Sequence, residues 1–222
     1  MKNGILTVLL VFFTIILTIT FSIGLPIYVR PFYYLQIDFL NLPEKTGVEK
    51  ADIIASYDEV LDYLTKPNKE FGTGVFRYSE SGKSHFEDCK KLFNLNAVSF
   101  CVSQVAVLVL MFLKFKKVFK PLYPFKLYHT FTSGVLTLLL FLGAGVYLMI
   151  DFENAFVIFH SLLFPGKGNW VFDSNLDPII DILPIEFFMS CAGLIILSVI
   201  VISFTLIIYG IIKNKAKQAN KN

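Results

Sequence analysis

Two histidines are the side chains best suited to chemistry outside the apolar stretches of this sequence. His85 stands in "SHFEDCKKLF" and His160 in "FHSLLFPGKGNW", whereas the third histidine, His129, lies at the end of an apolar run and is interpreted as structural. Imidazole titrates near neutral pH, so a histidine can take a proton from an amine or a hydroxyl and return it to a departing oxygen. His85 and His160 are therefore the candidate catalytic residues. The alternative is that each only marks a helix end at a membrane interface.

Other catalytic patterns are weak or missing in the sequence. Cys89 follows His85 by four residues and would share its helical face, but a buried, inert cysteine is more common than a thiol nucleophile. The sequence contains no G-x-S-x-G serine motif and no H-E-x-x-H zinc motif. Three cysteines without paired spacing predict neither a disulfide framework nor a metal site. We expect no bound metal.

The turn that follows His160 offers groups that could hold a substrate. Residues 165–170, "PGKGNW", lack the spacing and the final Ser or Thr of a phosphate-binding P-loop. Backbone N–H groups of a tight turn and the Asn169 amide can nevertheless stabilise an oxyanion, and Trp170 suits the headgroup depth of a bilayer. Arg77 is a further cation able to grip a headgroup. Arg77, Asn169 and Trp170 are the candidate substrate-binding residues; a plain turn and ordinary surface solvation are the alternatives.

Composition places these residues in a membrane protein. The 222-residue chain is 55% hydrophobic, with a mean hydropathy of +0.64, which is far more apolar than a soluble domain requires. Crossing a bilayer core takes roughly 20 apolar residues of helix. Four stretches qualify, at 4–27, 95–113, 131–150 and 187–212. The sequence predicts an all-α integral membrane protein with four transmembrane helices, forming a single membrane domain over residues 1–222.

Charge is divided unevenly among the segments outside the spans. The N-terminus, the loop 114–130 and the C-terminal tail carry ten lysines and no acidic residue, whereas all 17 acidic residues lie in segments 28–94 and 151–186. Cytoplasmic flanks retain Lys and Arg, so both termini are predicted to be cytoplasmic and the two acidic segments extracytoplasmic. The basic segments are interpreted as signals for orientation and for attraction to anionic lipid, not as a nucleic-acid surface.

Both extracytoplasmic segments are expected to have structure of their own. Residues 50–64, "KADIIASYDEVLDYL", place apolar side chains at helical spacing with acids opposite, which predicts an amphipathic helix. A second helix is predicted over 84–93, with Ser84 capping its start, Glu87 completing a capping box, and His85 in the first turn. In the second segment, "DFENAFVIFHSLLF" predicts a helix at the membrane interface.

Three separated motifs resemble one known family. "YDEVLDYL" at 57–64, "SHFEDCKKLF" at 84–93, and "FHSLLFPGKGNWVFD" through "DPIIDILPIEFF" at 159–188 are similar to the lipoprotein intramolecular transacylase family, Lit, of Gram-positive bacteria. The motifs recur in order, and the resemblance covers nearly the whole chain. In the turn after the second histidine this chain has "PGKGN", where the family pattern is more acidic or amide-rich.

The resemblance implies an activity and roles for the histidines. The sn-2 acyl chain of a diacylglyceryl-modified lipoprotein would move to the α-amino group of the same N-terminal cysteine, giving the lyso-form lipoprotein. His85 and His160 match the family's two external histidines; His85 is expected to act as the base, and His160 to orient the groups, stabilise the oxyanion or protonate the glyceryl oxygen. Expected partners are lipoproteins and membrane lipids, with no nucleic acid. An ester-to-amide transfer is downhill, so no cofactor is expected.

Two other functions stay open at the level of sequence. A non-catalytic lipid- or lipoprotein-binding membrane protein would use the histidines only as interface markers, and a membrane lipid hydrolase would replace the amine by water. A small transporter is disfavoured, because no Lys, Arg, Asp or His interrupts the apolar body of the four spans.

Overall fold

Helices make up every regular element in the part of the chain that the structure, a computed structural model, describes: residues 2–121 and 128–219. In chain order these are α1 (Lys2–Tyr28), α2 (Pro31–Phe39), α3 (Leu42–Thr46), α4 (Lys50–Thr65), α5 (Glu80–Phe115), α6 (His129–Ile150), α7 (Phe152–Leu163), a 3-10 helix (Pro178–Ile182) and α8 (Ile185–Ala219). Helices α1, α5, α6 and α8 are long and apolar enough to cross a membrane. The predicted all-α class and the four transmembrane helices are confirmed. Residues 122–127 of the predicted cytoplasmic loop lie outside the described residues.

Helix α5 joins two stretches that the sequence suggested were separate. The predicted helix at 84–93 and the predicted span at 95–113 form one helix of 36 residues. At about 1.5 Å per residue it is about 54 Å long, which exceeds the roughly 30 Å core of a bilayer. Its charged residues are concentrated before residue 95, so this polar first part is the portion that can extend beyond the apolar layer.

The predicted capping box at Ser84 is wrong. Helix α5 begins at Glu80, which places Ser84 inside the helix and His85 beyond its first turn. Ser79 caps the helix instead, because its Oγ accepts a hydrogen bond from the Gly82 N–H at 3.0 Å. The Asp177 carboxylate binds the capping residue in turn: it accepts hydrogen bonds from the Ser79 N–H and from the Ser79 hydroxyl, both at 2.7 Å. The cap therefore depends on a residue 98 positions away in the sequence.

The chain divides into two compact units, each described separately. The first comprises residues 1–24, 97–146 and 194–222, and it contains the greater part of the apolar helices. Glycine allows α6 and α8 to approach closely there: a Cβ on Gly134 would lie 2.6 Å from the Ser203 carbonyl oxygen, and a Cβ on Gly210 would lie 2.7 Å from the Phe131 backbone nitrogen. Small residues at such crossings are typical of helix packing in membranes.

The second unit comprises residues 25–96 and 147–193, and its core forms around α4. The apolar face predicted for this helix is buried, with Ile53 0% exposed. Tyr57 stacks on Tyr33 with ring centroids 3.7 Å apart, and the edge of Phe187 lies against Tyr33. The Tyr33 hydroxyl donates to the carbonyl oxygen of Ile182 at 2.7 Å. This core joins α2, α4, the 3-10 helix and the start of α8 into a framework for the site.

Candidate active site

Helices α5 and α7 bring His85 and His160 together within the second unit. Their ring centroids are 5.9 Å apart and their planes are inclined by 36°. Both residues are buried, with exposed fractions of 6% for His85 and 7% for His160. The separation of the rings is about twice the length of a hydrogen bond. A single reacting group placed between the rings can therefore contact both.

Hydrogen bonding determines the tautomer of His160. Its Nδ1 lies 2.7 Å from the carbonyl oxygen of Phe156, one turn earlier in α7. A carbonyl oxygen can only accept, so Nδ1 carries the hydrogen and the neutral ring presents an unprotonated Nε2. Burial lowers the pKa of His160 from its ordinary value of 6.5, and the Phe156 bond opposes this shift only in part. The neutral form is thus favoured at pH 7, with Nε2 available to accept a proton.

Aromatic rings hold the imidazole of His160 in place. The indole of Trp170 stacks on it at a centroid distance of 4.7 Å and an angle of 26°, and the ring of Phe156 lies 4.1 Å from it. The indole is itself anchored, because its N–H donates to the carbonyl oxygen of Lys167 at 3.1 Å. The turn that carries Trp170 therefore controls the orientation of His160.

His85 has one nitrogen occupied and one without a partner. Its Nε2 lies 3.3 Å from the Cys89 sulfur, one turn later in α5. Its Nδ1 is fully buried and has no hydrogen-bond partner among the described residues. The edges of Phe164 and Phe172 lie against the ring, with centroids 5.0 and 5.5 Å away. Since an unpaired buried polar atom is costly, Nδ1 is suited to a polar group that arrives with a substrate.

A polar clamp fastens the 165–170 turn to α5. The Asp88 carboxylate accepts hydrogen bonds from the Lys167 ammonium and from the Asn169 side-chain amide, the latter at 3.4 Å. The Asn169 N–H₂ also lies 3.3 Å from the Ser84 hydroxyl. Because a carboxylate only accepts, the N–H₂ of Asn169 faces Asp88, and its carbonyl oxygen is left buried without a partner among the described residues.

Comparison with known proteins identifies the family. The model of the lipoprotein intramolecular transacylase Lit matches residues 8–188, which is most of the chain. The chain belongs to the Lit family. The solved structure of Lit from Bacillus cereus is 26% identical over 98% of this chain and 97% of that one, with a TM-score of 0.85. No curated protein matches the chain.

Two further Bacillus cereus Lit structures carry a histidine substitution. The form with histidine replaced by arginine is 26% identical over 96% of this chain and 93% of that one, with a TM-score of 0.78. The form with histidine replaced by alanine is 25% identical over 96% and 94%, with a TM-score of 0.77. These Lit proteins are membrane-integral, in agreement with the four apolar helices of this chain. The predicted membrane location is confirmed at that level.

Asp88 is a residue of this Lit-family site that sequence reasoning missed. It is 7% exposed and binds both polar side chains of the turn, with Lys91 also 3.0 Å away. A signal was present in the sequence, because Ser84 and Asp88 are four residues apart and share a helical face next to His85. The Lys167 ammonium is held by the Asp88 carboxylate.

The described hydrogen bonds of Arg77 involve neither of the two histidines. Its guanidinium donates to the carbonyl oxygen of Asn175 from Nε at 3.0 Å and also from Nη2. The described contacts of Arg77 thus tie the segment before α5 to the loop that carries Asp177. Trp170 stacks on His160 and Asn169 contacts Ser84 and Asp88, whereas the described hydrogen bonds of Arg77 go to Asn175.

Among the described contacts, none joins His129, Cys101 or Cys191 to either histidine of this Lit-family site, whereas Cys89 contacts His85. His129 begins α6 in the first unit, where its Nε2 lies 3.0 Å from the Lys114 ammonium. All three cysteines are free thiols. Within residues 2–121 and 128–219, no group of three or more His, Cys, Asp or Glu side chains is arranged to hold a metal ion.

Proposed function

We propose that His85 and His160 catalyse transfer of the sn-2 acyl chain of a diacylglyceryl-cysteine lipoprotein to the α-amino group of the same cysteine. As a member of its family the chain is a lipoprotein intramolecular transacylase, with a lipoprotein as substrate. The observation that supports the residue assignment is the 5.9 Å approach of two buried imidazoles from α5 and α7. The product is the lyso-form lipoprotein.

His160 acts as the general base in this proposal. An α-amino group has a pKa of about 7.7–8, so it must lose protons before and during its attack on an ester carbonyl. The hydrogen bond from Nδ1 to the Phe156 carbonyl leaves Nε2 as the accepting nitrogen. The sequence favoured His85 for this role, but the fixed tautomer of His160 makes it the better acceptor. The imidazolium that forms then returns the proton to the departing glyceryl oxygen.

His85 stabilises the negative charge on the former ester carbonyl oxygen. If the Cys89 thiol donates to Nε2, the hydrogen of the neutral ring lies on Nδ1, which has no protein partner among the described residues. An N–H donor aimed at the developing oxyanion typically contributes several kcal/mol to transition-state stability. The C–N bond forms as the C–O bond to glycerol breaks, and the total mass of the lipoprotein does not change.

The turn residues hold the attacking amine. The unpartnered carbonyl oxygen of Asn169 can accept a hydrogen bond from the α-amino group, while the stacked indole of Trp170 keeps the His160 ring in position. The donor ester and the acceptor amine belong to one molecule. When the enzyme holds them in contact, most of the entropy lost in bringing them together is lost on binding and not in the reaction step. An acyl-enzyme is not required, and neither is a cofactor. Arg77 remains a predicted substrate-binding residue.

We assign the two acidic segments, 28–94 and 151–186, to the extracytoplasmic face, together with the catalytic histidines. Support comes from the ten lysines and no acids in the opposite segments, which predict cytoplasmic termini. The outward side of α7 supports a location at the lipid boundary, since Phe159 is 54% exposed and Leu162 is 74% exposed. A lipid-anchored substrate would reach the site from the membrane along this surface, so membrane lipids are proposed as contacts.

Mass spectrometry of a defined product tests the proposed reaction. The purified protein is incubated with a synthetic diacylglyceryl-cysteine lipopeptide that has a free α-amine. A product of unchanged mass whose fragments place one acyl chain on nitrogen supports the proposal. Loss of one acyl mass would show hydrolysis, and an unaltered lipopeptide that stays bound would show a binding protein; either result contradicts it. An N-acetylated lipopeptide is the matched control and should not react.

A further inference from the structure

One aromatic ring of the loop 171–176 packs on His85. The centroid of Phe172 lies 5.5 Å from that of His85 and 5.7 Å from that of Phe86. The ring also lies close to Gly82, because a Cβ there would be 3.1 Å from the Phe172 Cε1. Gly82, His85 and Phe86 are three and four residues apart and share one face of α5. Phe172 therefore covers the part of the helix that carries His85, and the absence of a side chain at Gly82 makes room for the ring.

The loop that carries Phe172 is otherwise on the surface. Val171 is 67% exposed, Leu176 is 57% exposed, and the polar residues 173–175 are exposed as well. His85 by contrast is 6% exposed, and its Nδ1 is buried with no hydrogen-bond partner among the described residues. Among the described contacts, Phe172 is the side chain through which this exposed loop meets the buried imidazole.

Two polar contacts hold the loop against the segment that leads into α5. The Asp177 carboxylate, on a residue that is 4% exposed, accepts hydrogen bonds from the N–H and the hydroxyl of Ser79. The Arg77 guanidinium donates to the carbonyl oxygen of Asn175. Both anchors lie within a few residues of the aromatic ring along the chain, so they limit how far the ring can move away from the imidazole.

Water next to His85 would change the outcome of acyl transfer. Water can attack an activated ester as an amine does: its oxygen bonds to the acyl carbon, the C–O bond to glycerol breaks, and the glyceryl oxygen takes a proton from the water. The products are a free fatty acid and a lipoprotein with one acyl chain fewer. A buried water needs space and polar partners, and the unpartnered His85 Nδ1 and the ester carbonyl would supply the partners once space opened.

We propose that Phe172 directs the acyl chain to the amine and away from water. Its ring fills the space beside His85 through which water at the exposed loop would reach the ester, and Asp177 keeps the ring there. Phe172 is thus a specificity-determining residue, and Asp177 is a positioning residue. This role rests on the proposed acyl transfer by His85 and His160, to which it adds a preference for the amine over water.

An N-acetylated diacylglyceryl-cysteine lipopeptide isolates the reaction with water, because its blocked nitrogen is not a nucleophile. The purified wild type should release almost no fatty acid from it, whereas Phe172→Ala should release fatty acid that contains oxygen from isotopically labelled water. With the free-amine lipopeptide, Phe172→Ala should raise the ratio of fatty acid to N-acylated product about tenfold, the factor that corresponds to about 1.4 kcal/mol of easier access for water. Phe172→Leu keeps an apolar side chain against His85 and should leave the ratio near that of the wild type.

The matched control is Phe71→Ala. Phe71 packs on Phe86 at a centroid distance of 5.4 Å, much as Phe172 does, but its described ring contacts include neither histidine. This control should keep the wild-type ratio. An equal rise in Phe71→Ala and Phe172→Ala would indicate a general loosening of the second unit, and an unchanged ratio in a folded Phe172→Ala would show that the ring does not exclude water. Either result would overturn the proposal.

Asp177→Asn keeps the test decisive if Phe172→Ala folds poorly. Asparagine has the same shape but only one accepting oxygen, so the loop is held less firmly while Phe172 is retained. The ratio of fatty acid to N-acylated product should rise by up to about fivefold, as for the loss of one hydrogen bond; an unchanged ratio would contradict the positioning role of Asp177. A wild type that makes no N-acylated product would contradict the proposed function itself. A wild type that transfers the acyl chain, with no release of fatty acid by either variant, would contradict only the role given to Phe172 and Asp177.

Discussion

Replacing Lys167 by Met tests whether the polar clamp positions the 165–170 turn beside His160. The Lys167 ammonium binds the buried Asp88 carboxylate of α5, and the Lys167 carbonyl accepts from the indole of Trp170. Methionine keeps the apolar stem and the backbone carbonyl but removes the charge. The turn then depends on the weaker Asn169 contact, at 3.4 Å from Asp88. We expect Trp170 to spend part of its time away from His160.

The structure sets the size of this effect. A hydrogen bond between charged groups is worth about 1.5–3 kcal/mol when it is shielded from water. The Asp88 side chain is 9% exposed, but that of Lys167 is 46% exposed, so solvent screening reduces the contribution to about 1 kcal/mol. About 1 kcal/mol corresponds to about a fivefold change in an equilibrium between closed and open turns. We therefore expect kcat to fall, by at most about fivefold, with a smaller change in KM.

Steady-state kinetics and intrinsic fluorescence provide the assay. Trp170 is the chain's only tryptophan, so its emission reports the turn directly. Lys167→Met should shift the emission to longer wavelength and increase quenching by acrylamide. The control is Lys91→Met, since Lys91 binds the same carboxylate from α5 itself and does not hold the turn. Equal effects of the two substitutions, or an unchanged kcat for Lys167→Met, would refute the positioning role.

Three further predictions concern the residues around the site. Burial lowers the pKa of His160, so the unfolded chain takes up a proton on this residue at a higher pH than the folded protein does. The midpoint of thermal unfolding should therefore fall as the pH drops below about 6.5. His160→Ala should reduce the dependence of this midpoint on pH. Gly82→Ala would place a Cβ 2.3 Å from an Asp177 oxygen and disturb the cap of α5. It should lower the free energy of unfolding by about 1 kcal/mol. The control is Gly143→Ala, where an added Cβ would have nothing within 4 Å. If the Cys89 thiol orients the His85 imidazole, Cys89→Ser should keep kcat within about threefold of the wild type and Cys89→Ala should lower kcat about tenfold. Complete loss of activity in both variants would indicate that Cys89 is a nucleophile instead.

Local patterns were sufficient to predict the four transmembrane helices, α4 and the candidate catalytic histidines. Four apolar runs gave the four transmembrane helices, and three-and-four spacing over 50–64 gave α4, which the structure extends by one residue to Thr65. The chemistry of imidazole alone points to His85 and His160 as candidate catalytic residues. Each of these predictions depends on a property of one segment alone, namely its length, its periodicity or the type of its side chains.

Features that depend on distant residues were missed or wrong. Ser84 looked like a helix cap because serine and a glutamate three residues later suit one, but the cap forms at Ser79 with Asp177 from the second segment. Asp88 was not singled out from the sequence, and only the folded structure places Lys167 against it. Contacts of this kind are fixed by tertiary packing, which a single sequence does not encode in its local spacing.

The most direct test of the two-histidine mechanism is tandem mass spectrometry on three single variants. His85→Ala, His160→Ala and His129→Gln are each incubated with the diacylglyceryl-cysteine lipopeptide, and the fraction of acyl chains found on nitrogen is measured over time. We predict that His85→Ala and His160→Ala lower the initial rate by at least about a hundredfold, while His129→Gln stays close to the wild type. Retained transfer in a folded His85→Ala or His160→Ala protein, or an equal loss in His129→Gln, would contradict the assignment of these two histidines as the catalytic pair.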